Sequence, residues 1–236
     1  MDIAARFTTA LVEARSSPDR TDPLPDQLSR AAAAALRVDG VGLSLAAEQP
    51  TLLGASGAMP RTAEQLQFTV GTGPCLVAVD TQFPLFAVES YLHRRWPVYH
   101  DLLRTQTPYR SVVAHPMTHG LTGVGALVVY LEDPAGPLQL DSFDASAVVG
   151  LVSAALTTST SWAAPHQPGL QHWLDTPGAR VRALTWQAVD LVRQVLDTSD
   201  VDALAVLRSR AYGSGRLVDE IAGELLRGEL SVHDLG

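Results

Sequence analysis

The fold of this chain is decided by residues 111–131, which read SVVAHPMTHGLTGVGALVVYL. The segments 111–116 and 124–131 are rich in β-branched residues and are joined by the turn-prone residues 118–123, so the pattern predicts two antiparallel strands. The second segment is apolar almost without interruption, which is typical of a central strand covered on both faces. We therefore expect this pair to lie in the middle of a sheet.

Helical and β patterns alternate on either side of this strand pair. Three further strands are predicted, at residues 40–45, 51–55 and 84–88. The predicted helices of this region cover residues 3–14, 25–37, 63–70, 75–80, 94–105 and 141–162. Elements interleaved in this order predict an α+β or α/β sandwich, in which helices flank the sheet.

A change in composition separates the C-terminal part of the chain from the rest. Residues 164–178 contain three prolines and two glycines, which is typical of a boundary between domains. We predict a first domain over residues 1–163, a linker over 164–178 and a second domain over 179–236.

The second domain has the periodicity of three amphipathic helices. The apolar stripe predicted for its first helix consists of Val181, Leu184, Ala188, Leu191, Val192 and Val195. Ser199, three residues before Asp202, predicts the start of the second helix, on which we expect Arg208 and Arg210 to face solvent. Short amphipathic helices can share a core only as a compact bundle, so the second domain is predicted to be all-α.

The charges limit the partners of the chain. Its 17 basic residues are all arginine and are outnumbered by 25 acidic residues, which gives a net charge of −8. The net charge is −6 before Ala179 and −2 from Ala179 onward, so non-specific attraction to a nucleic-acid backbone is expected to be weak. Nucleic-acid binding would depend on a few well-placed arginines.

The sequence predicts a cytoplasmic protein that does not enter a membrane. Cys75 is the single cysteine, which excludes an internal disulfide framework and fits a reducing compartment. Residues 1–6 lack the features of a secretion signal. The longest apolar run, residues 145–156, is too short to span a bilayer.

A set of short, regularly spaced segments runs through the second domain. The segments are Gln187-Ala188, Leu191-Val192, 199–203 (SDVDA), 207–212 (LRSRAY), 215–217 (GRL) and 220–222 (EIA). Together they resemble the ANTAR family over essentially all of residues 180–230. ANTAR domains are helical bundles that bind paired hairpins in nascent RNA and prevent a transcription terminator from forming. The resemblance implies that this chain is a transcription antitermination regulator.

The ANTAR resemblance implies a set of RNA-binding residues. These are Arg193, Arg208, Arg210, Tyr212 and Arg216. Unpaired RNA bases stack on aromatic rings and arginine planes, and arginine also binds phosphate through paired hydrogen bonds. Residue types alone favour another interpretation, in which Arg208 and Arg216 are solubilising surface groups and Tyr212 is a half-buried packing residue.

One position departs from the ANTAR pattern. The family commonly has Ala-Lys-Gly in its first helix, where this chain has Ala188-Val189-Asp190. The change removes a basic residue and adds an acidic one at a position expected near RNA. Two interpretations follow: either the RNA-binding face lies mainly on the later arginines, or RNA binding is weakened in this chain.

A second set of segments lies in the first domain. It consists of residues 71–79 (GTGPCLVAV), 95–97 (RWP), 110–116 (RSVVAHP), 123–127 (GVGAL) and the long closing helix. These segments resemble the GAF domains of actinobacterial regulators, and GAF followed by ANTAR is a familiar order. The resemblance implies a central antiparallel sheet between helices, with a small-molecule pocket on one face. The candidate pocket residues are Cys75, Arg110, His115 and Tyr130, while the ligand is unknown and the sequence requires no cofactor.

The reactive side chains do not form a recognisable catalytic set. Cys75 is either a thiolate sensor or a small buried apolar residue. His115 and His119 are separated by a proline and a turn, which spoils the spacing for a metal site, and we expect His93 and His100 to be exposed to solvent. We therefore predict no catalytic residue, no metal site and no enzymatic activity.

Three classes of function remain open. The leading hypothesis is a homodimeric sensor, in which the GAF-like domain receives a signal and helix 141–162 transmits it to an RNA-binding bundle. The alternative is a ligand-sensing, dimerising protein whose bundle no longer binds RNA, which Asp190 and the negative charge favour. An enzyme built on the first domain is the third hypothesis, and a reactive thiol at Cys75 would favour it.

Overall fold

A five-stranded antiparallel sheet forms the centre of the first domain. The computed structural model describes residues 2–16, 22–46, 50–161 and 176–235. The strands are β1 (Gly40–Leu45), β2 (Thr51–Ala55), β3 (Leu85–Ala87), β4 (Ser111–Pro116) and β5 (Gly125–Leu131). Their order in the sheet is β2-β1-β5-β4-β3, and all neighbouring strands are antiparallel. The predicted α+β fold with an antiparallel sheet is confirmed.

The strand pair predicted at residues 111–116 and 124–131 is present as β4 and β5. β4 pairs with β5 from Ser111, opposite Leu131, to Pro116, opposite Ala126. β5 is the central strand, and all seven of its residues are buried. Its apolar sequence follows from this position, because both of its faces are covered by helices.

Two layers of helices cover the sheet. One face packs against α1 (Ile3–Arg15), α2 (Leu24–Leu36) and α7 (Ser142–Ser161), and its core includes Leu43, Val113 and Leu127. The other face packs against α3 (Ala58–Val70), α4 (Pro74–Thr81), α5 (Glu89–Arg95) and α6 (Pro97–Gln106), around Leu66, Tyr99 and Tyr130. Residues therefore alternate between the two cores along each strand.

Two predicted helices have different bounds in the structure. α3 begins at Ala58, five residues before its predicted start at residue 63. The single helix predicted over residues 94–105 is two helices, α5 and α6, that meet at Trp96. Pro97 explains this break, since proline lacks the N–H that would continue α5 but is well suited to the first turn of α6.

Three helices after the predicted linker share one core, which we call the C-terminal bundle. They are α8 (Pro177–Leu196), α9 (Asp200–Gly213) and α10 (Val218–Leu226). The Ser199 hydroxyl accepts a hydrogen bond of 3.1 Å from the Asp202 N–H, which confirms the predicted cap of α9. Pro177 and Gly178, predicted to end the linker, begin α8 instead, and the rest of the linker up to residue 175 lies outside the described residues.

The apolar stripe predicted for α8 is partly wrong. Val181, Leu184 and Val195 are exposed, whereas Arg182 and Thr185 are buried. The buried face of α8 differs from the predicted stripe because the helix packs against the first domain as well as against α9 and α10. Periodicity within the helix contained no information about that second contact.

The C-terminal bundle docks on α3 and β2 of the first domain. Phe68 of α3 is part of the core of the bundle, and Thr69 accepts a hydrogen bond of 3.1 Å from the Val218 N–H. Gly178 approaches β2 so closely that a Cβ atom there would lie 2.6 Å from the Leu52 carbonyl oxygen. Within the described part of the chain, no helix is both long and apolar enough to cross a membrane.

Candidate functional site

A small cavity lies where the sheet, α3, α4 and the C-terminal bundle meet. Its volume is about 40 Å³, which is room for a few water molecules. We call Ser44, Glu64 and Gln67 the floor of the cavity, and Phe68, Arg182 and Arg208 its roof. The walls are mainly apolar and consist of Leu45, Ala46, Pro50, Thr51, Leu52, Cys75 and Leu76.

Glu64 is a buried carboxylic acid at the floor. It accepts hydrogen bonds from the Ser44 hydroxyl at 2.6 Å and from the Tyr130 hydroxyl at 2.7 Å. Gly42 on β1 makes this position possible, because a Cβ atom there would lie 2.5 Å from a Glu64 carboxylate oxygen. Burial raises the pKa of Glu64 to about 6, although both hydrogen bonds favour the ionised form.

A hydrogen-bond chain connects Glu64 to α4. The Gln67 side-chain amide donates to the Tyr130 hydroxyl at 3.0 Å, and its oxygen accepts from the Cys75 N–H at 2.9 Å. Tyr130 also stacks on Tyr109, with 5.2 Å between ring centroids. Satisfied buried polar groups of this kind hold a site in one geometry.

Cys75 lines the cavity as a neutral thiol. Its side chain is buried, and burial together with the nearby Glu64 raises the pKa of the thiol well above its ordinary value. A nucleophilic sensor needs a thiolate in a positive, accessible environment. The environment of Cys75 therefore favours the small buried residue over the thiolate sensor.

Arg182 of α8 forms the inner part of the roof. Its guanidinium carbon lies 3.1 Å from the centroid of the Phe68 ring, and its Nη1 lies 3.3 Å from Asp219 Oδ1. Burial lowers the pKa of Arg182 to about 10, while Asp219 acts in the opposite direction, so the group stays charged at neutral pH. Asp219 is itself held by a hydrogen bond of 2.6 Å from the Thr185 hydroxyl.

Arg208 of α9 forms the outer part of the roof. Its Nε donates a hydrogen bond of 3.0 Å to the Phe68 carbonyl oxygen, and its guanidinium carbon lies 5.0 Å from the Phe68 ring centroid. Burial lowers the pKa of Arg208. The prediction that Arg208 faces solvent is wrong, because the side chain is packed against the first domain.

The four predicted pocket residues are not brought together. Cys75 lines the cavity and Tyr130 lies beneath its floor. His115 points to the opposite face of the sheet, where its ring meets Phe86 at 5.8 Å and burial lowers its pKa to about 4. Arg110 lies outside the lining and donates a hydrogen bond of 2.9 Å to the Tyr109 carbonyl oxygen. His115 and Arg110 therefore do not line this cavity.

The main polar residues of the cavity were missed in the sequence. Glu64 and Gln67 lie on a helix whose pattern predicts solvent exposure for charged and amide side chains. A signal was present in their spacing, since two polar residues three apart share one face of α3. Nothing comparable marked Arg182, which joins the cavity only through the docking of the bundle.

The remaining predicted RNA-binding residues lie on the surface of the bundle. Arg210 and Tyr212 are exposed. Arg216 forms two hydrogen bonds with the Glu224 carboxylate, at 2.9 and 2.7 Å. Arg193 lies 3.0 Å from Asp200 and 3.6 Å from Asp190, the residue that departs from the ANTAR pattern. A bound phosphate would have to replace these carboxylates.

The two histidines expected to be exposed are placed differently. His93 on α5 is exposed, but His100 on α6 is buried, with 5.0 Å between the ring centroids. One potential ligand atom each from His93, His100 and Asp101 lies within 4.8 Å of the others. His100 also lies 3.4 Å from Glu89, so its ring nitrogens already have carboxylate neighbours. The exposure predicted for His100 is wrong.

Comparisons with known proteins give distant similarities in structure alone. No protein-family model and no curated protein matches the sequence. The GAF domain of an Acinetobacter phosphoenolpyruvate-protein phosphotransferase aligns with a TM-score of 0.46 and 18% identity, over 68% of this chain and 98% of that one. The GAF domain of the corresponding Coxiella burnetii protein aligns with a TM-score of 0.47 and 13% identity, over 68% and 96%. SdiA in complex with octanoyl-rac-glycerol aligns with a TM-score of 0.45 and 12% identity, over 96% and 95%. No functional conclusion follows from similarities this distant.

Proposed function

We propose that this chain is a cytoplasmic, signal-responsive transcription antitermination regulator rather than an enzyme. In this function the first domain senses a small molecule and the C-terminal bundle binds hairpins in nascent RNA. The observation that carries the proposal is the shared cavity, whose floor belongs to the sensing domain and whose roof consists partly of arginines from the bundle. A molecule that enters this cavity necessarily contacts both parts.

Arg208 provides a physical route from the signal to RNA. It is a candidate RNA-binding residue by resemblance, and in this structure it donates to the Phe68 carbonyl oxygen. While this contact persists, the Arg208 guanidinium is held against the first domain and is withdrawn from RNA. A ligand that binds one docking state better than the other would therefore shift the population able to bind RNA.

Arg210 and Tyr212 form the exposed part of the proposed RNA-binding face. Both lie in the last turns of α9 and are free of the docking interface. An exposed tyrosine beside an arginine offers a stacking surface and a phosphate contact within one helix turn. Arg216 lies just beyond the helix and would join them by exchanging the Glu224 carboxylate for phosphate.

Electrophoretic mobility shift at low salt tests RNA binding. The probe is an RNA with two short hairpins, and we expect the wild-type chain to bind it. The double variant Arg210→Ala, Tyr212→Ala should bind at least tenfold more weakly, since it removes the stacking surface and one phosphate contact, worth roughly 1–3 kcal/mol for the stacked base. Arg94→Ala, an exposed arginine on α5, is the matched control. Absence of a shift with both the wild-type chain and Gly178→Ala, which loosens the contact of α8 with β2, would exclude RNA binding.

A second candidate function is a ligand-sensing dimer whose bundle does not bind RNA. The ion pairs of Arg193 with Asp190 and Asp200 favour it, because acidic neighbours repel phosphate. Phe143 at the start of α7 has 84% of its surface accessible, and we propose it as a contact with a second copy of the chain. Light scattering that shows a dimer, together with no RNA shift, would select this function.

A further inference from the structure

The inner roof of the cavity contains buried hydrogen-bond donors that lack acceptors. Arg182 is only 4% exposed, and its Nε has no hydrogen-bond partner among the described residues. Its Nη1 lies near Asp219 Oδ1 but forms no hydrogen bond in that geometry. Buried donors without acceptors are unfavourable. An acceptor placed in the cavity would remove this cost.

The roof also carries more positive than negative charge. Arg182 and Arg208 line the same cavity, and their proximity contributes to the lowered pKa of Arg182. Within the part of the chain that the structure describes, Asp219 is the acidic residue that raises the pKa of Arg182, so the roof there has two guanidinium groups and one carboxylate. Guanidinium groups bind carboxylates through paired hydrogen bonds. The roof therefore favours a ligand with a carboxylate.

The floor has the opposite preference. Glu64 accepts hydrogen bonds from the hydroxyl groups of Ser44 and Tyr130, yet burial still disfavours its ionised form. A cationic donor at this position would stabilise the carboxylate and relieve that cost. The walls between floor and roof are largely apolar, with Leu45, Leu52 and Leu76 among them. The cavity thus complements a ligand that has a carboxylate at one end, an amine at the other end and an apolar side.

We propose that the cavity binds a small zwitterion whose carboxylate contacts Arg182 and Arg208 and whose ammonium group contacts Glu64. This assignment rests on the proposed function insofar as it names the class of the sensed molecule. The cavity has room for a few water molecules, which a small zwitterion would displace on binding.

The test uses the purified full-length chain without RNA. Glycine, L-alanine and L-valine are zwitterions of increasing size, while isovalerate and isobutylamine are L-valine without its amine and without its carboxylate. The readouts are the shift in unfolding temperature and the tryptophan fluorescence, to which Trp186 contributes, 6.3 Å from Phe68. We expect a saturable response to at least one zwitterion, and at least tenfold weaker binding of both single-group analogues.

Variants separate the cavity from adventitious binding. Arg182→Met combined with Asp219→Asn removes the buried pair together, and Glu64→Gln removes the acidic floor. Each should weaken zwitterion binding at least tenfold, while Arg94→Met on the exposed surface of α5 leaves it unchanged. If the paired variant does not fold, as circular dichroism would report, Arg208→Met takes its place.

The outcomes separate this inference from the proposed RNA function. No saturable response to any of the three zwitterions, equal binding of isovalerate, or a response unaffected by the roof and floor variants overturns the inference. A chain that shifts RNA but fails these tests refutes the ligand class alone. A chain that binds a zwitterion through Arg182 and Glu64 supports the inference whether or not it shifts RNA.

Discussion

Glu64 shows how a single buried acid depends on the backbone around it. The carboxylate lies against β1 only because Gly42 has no side chain, and its hydroxyl donors come from two different strands. The hydrogen bonds favour ionisation, but burial has the larger effect, so the pKa rises from an ordinary value of 4.5 to about 6. A raised pKa means that folding favours the protonated acid.

Replacing Glu64 by glutamine should remove a pH-dependent part of the stability. Glu64 contributes stability fully below pH 4.5 and loses it as the pH rises through about 6. The free energy of unfolding of Glu64→Gln minus that of the wild type should therefore increase by about 2 kcal/mol between pH 4 and pH 8. Urea titrations at several pH values between 4 and 8 measure it.

The prediction compares Glu64→Gln with the wild type, and not the wild type at two pH values, because His115 changes the free energy of unfolding with pH in the opposite direction. Burial lowers the pKa of His115 from 6.5 to about 4, so its contribution is full above pH 6.5 and is lost as the pH falls through 4. This contribution cancels between wild type and Glu64→Gln, because the two residues lie on opposite faces of the sheet. A pH-independent difference would show that Glu64 has an ordinary pKa.

Single residues also show where sequence reasoning reaches its limit. Cys75 and Tyr130 were both predicted pocket residues; Cys75 lines the cavity, and Tyr130 lies beneath its floor. His115 was assigned in the same way but points to the other face, because neighbouring residues of a strand alternate between faces. Glu64 and Arg182 were missed, since charged residues are rarely fully buried without a partner that lies far away in sequence.

Among the elements, strands could be predicted better than helix faces. β1, β2 and β4 have their predicted bounds, because apolar β-branched segments end at clear turns. The buried face of α8 was predicted incorrectly because Val181 and Leu184 are apolar yet exposed, and Arg182 and Thr185 are polar yet buried. Their burial depends on β2 and α3, which periodicity within α8 cannot report.

Docking of α8 on β2 should be sensitive to Gly178. In Gly178→Ala the new Cβ atom would lie 2.6 Å from the Leu52 carbonyl oxygen, which is backbone and cannot turn away. We expect the variant to lose about 1–3 kcal/mol of stability, as is usual for overpacking. Gly213→Ala, at the end of α9, is the matched control, because a Cβ atom there has no neighbour within 4 Å.

Thermal unfolding followed by circular dichroism and by tryptophan fluorescence measures this effect. In the wild type, docking should make the sheet and the bundle unfold together. In Gly178→Ala the transition should move to lower temperature or divide in two, whereas Gly213→Ala should match or slightly exceed the wild type. Equal unfolding of the two variants would mean that the contact between Gly178 and Leu52 does not hold the bundle.

For the whole molecule, the balance of charge makes the docking interface important. The chain has a net charge of −8, so general attraction to RNA is weak and each well-placed arginine contributes a large share of affinity. Arg193 and Arg216 are paired with carboxylates, and Arg208 is held by Phe68. The docked state is therefore expected to bind RNA less well than a state in which the bundle is released.

Weakening the contact between the C-terminal bundle and the first domain should accordingly strengthen RNA binding. If Gly178→Ala shifts the population from docked to released bundle by about 1.4 kcal/mol, the affinity for a two-hairpin RNA should rise about tenfold, since each 1.4 kcal/mol corresponds to a factor of ten. The gain should disappear in Gly178→Ala, Arg208→Met, because Arg208 is the group that release of the bundle adds to the RNA-binding face of Arg210 and Tyr212. Filter binding at fixed low salt compares these two with the wild type and with Gly213→Ala. If the gain in RNA affinity persists in the double variant, the effect comes from other residues of the bundle. Unchanged or weaker binding by Gly178→Ala would show that docking does not restrain RNA recognition.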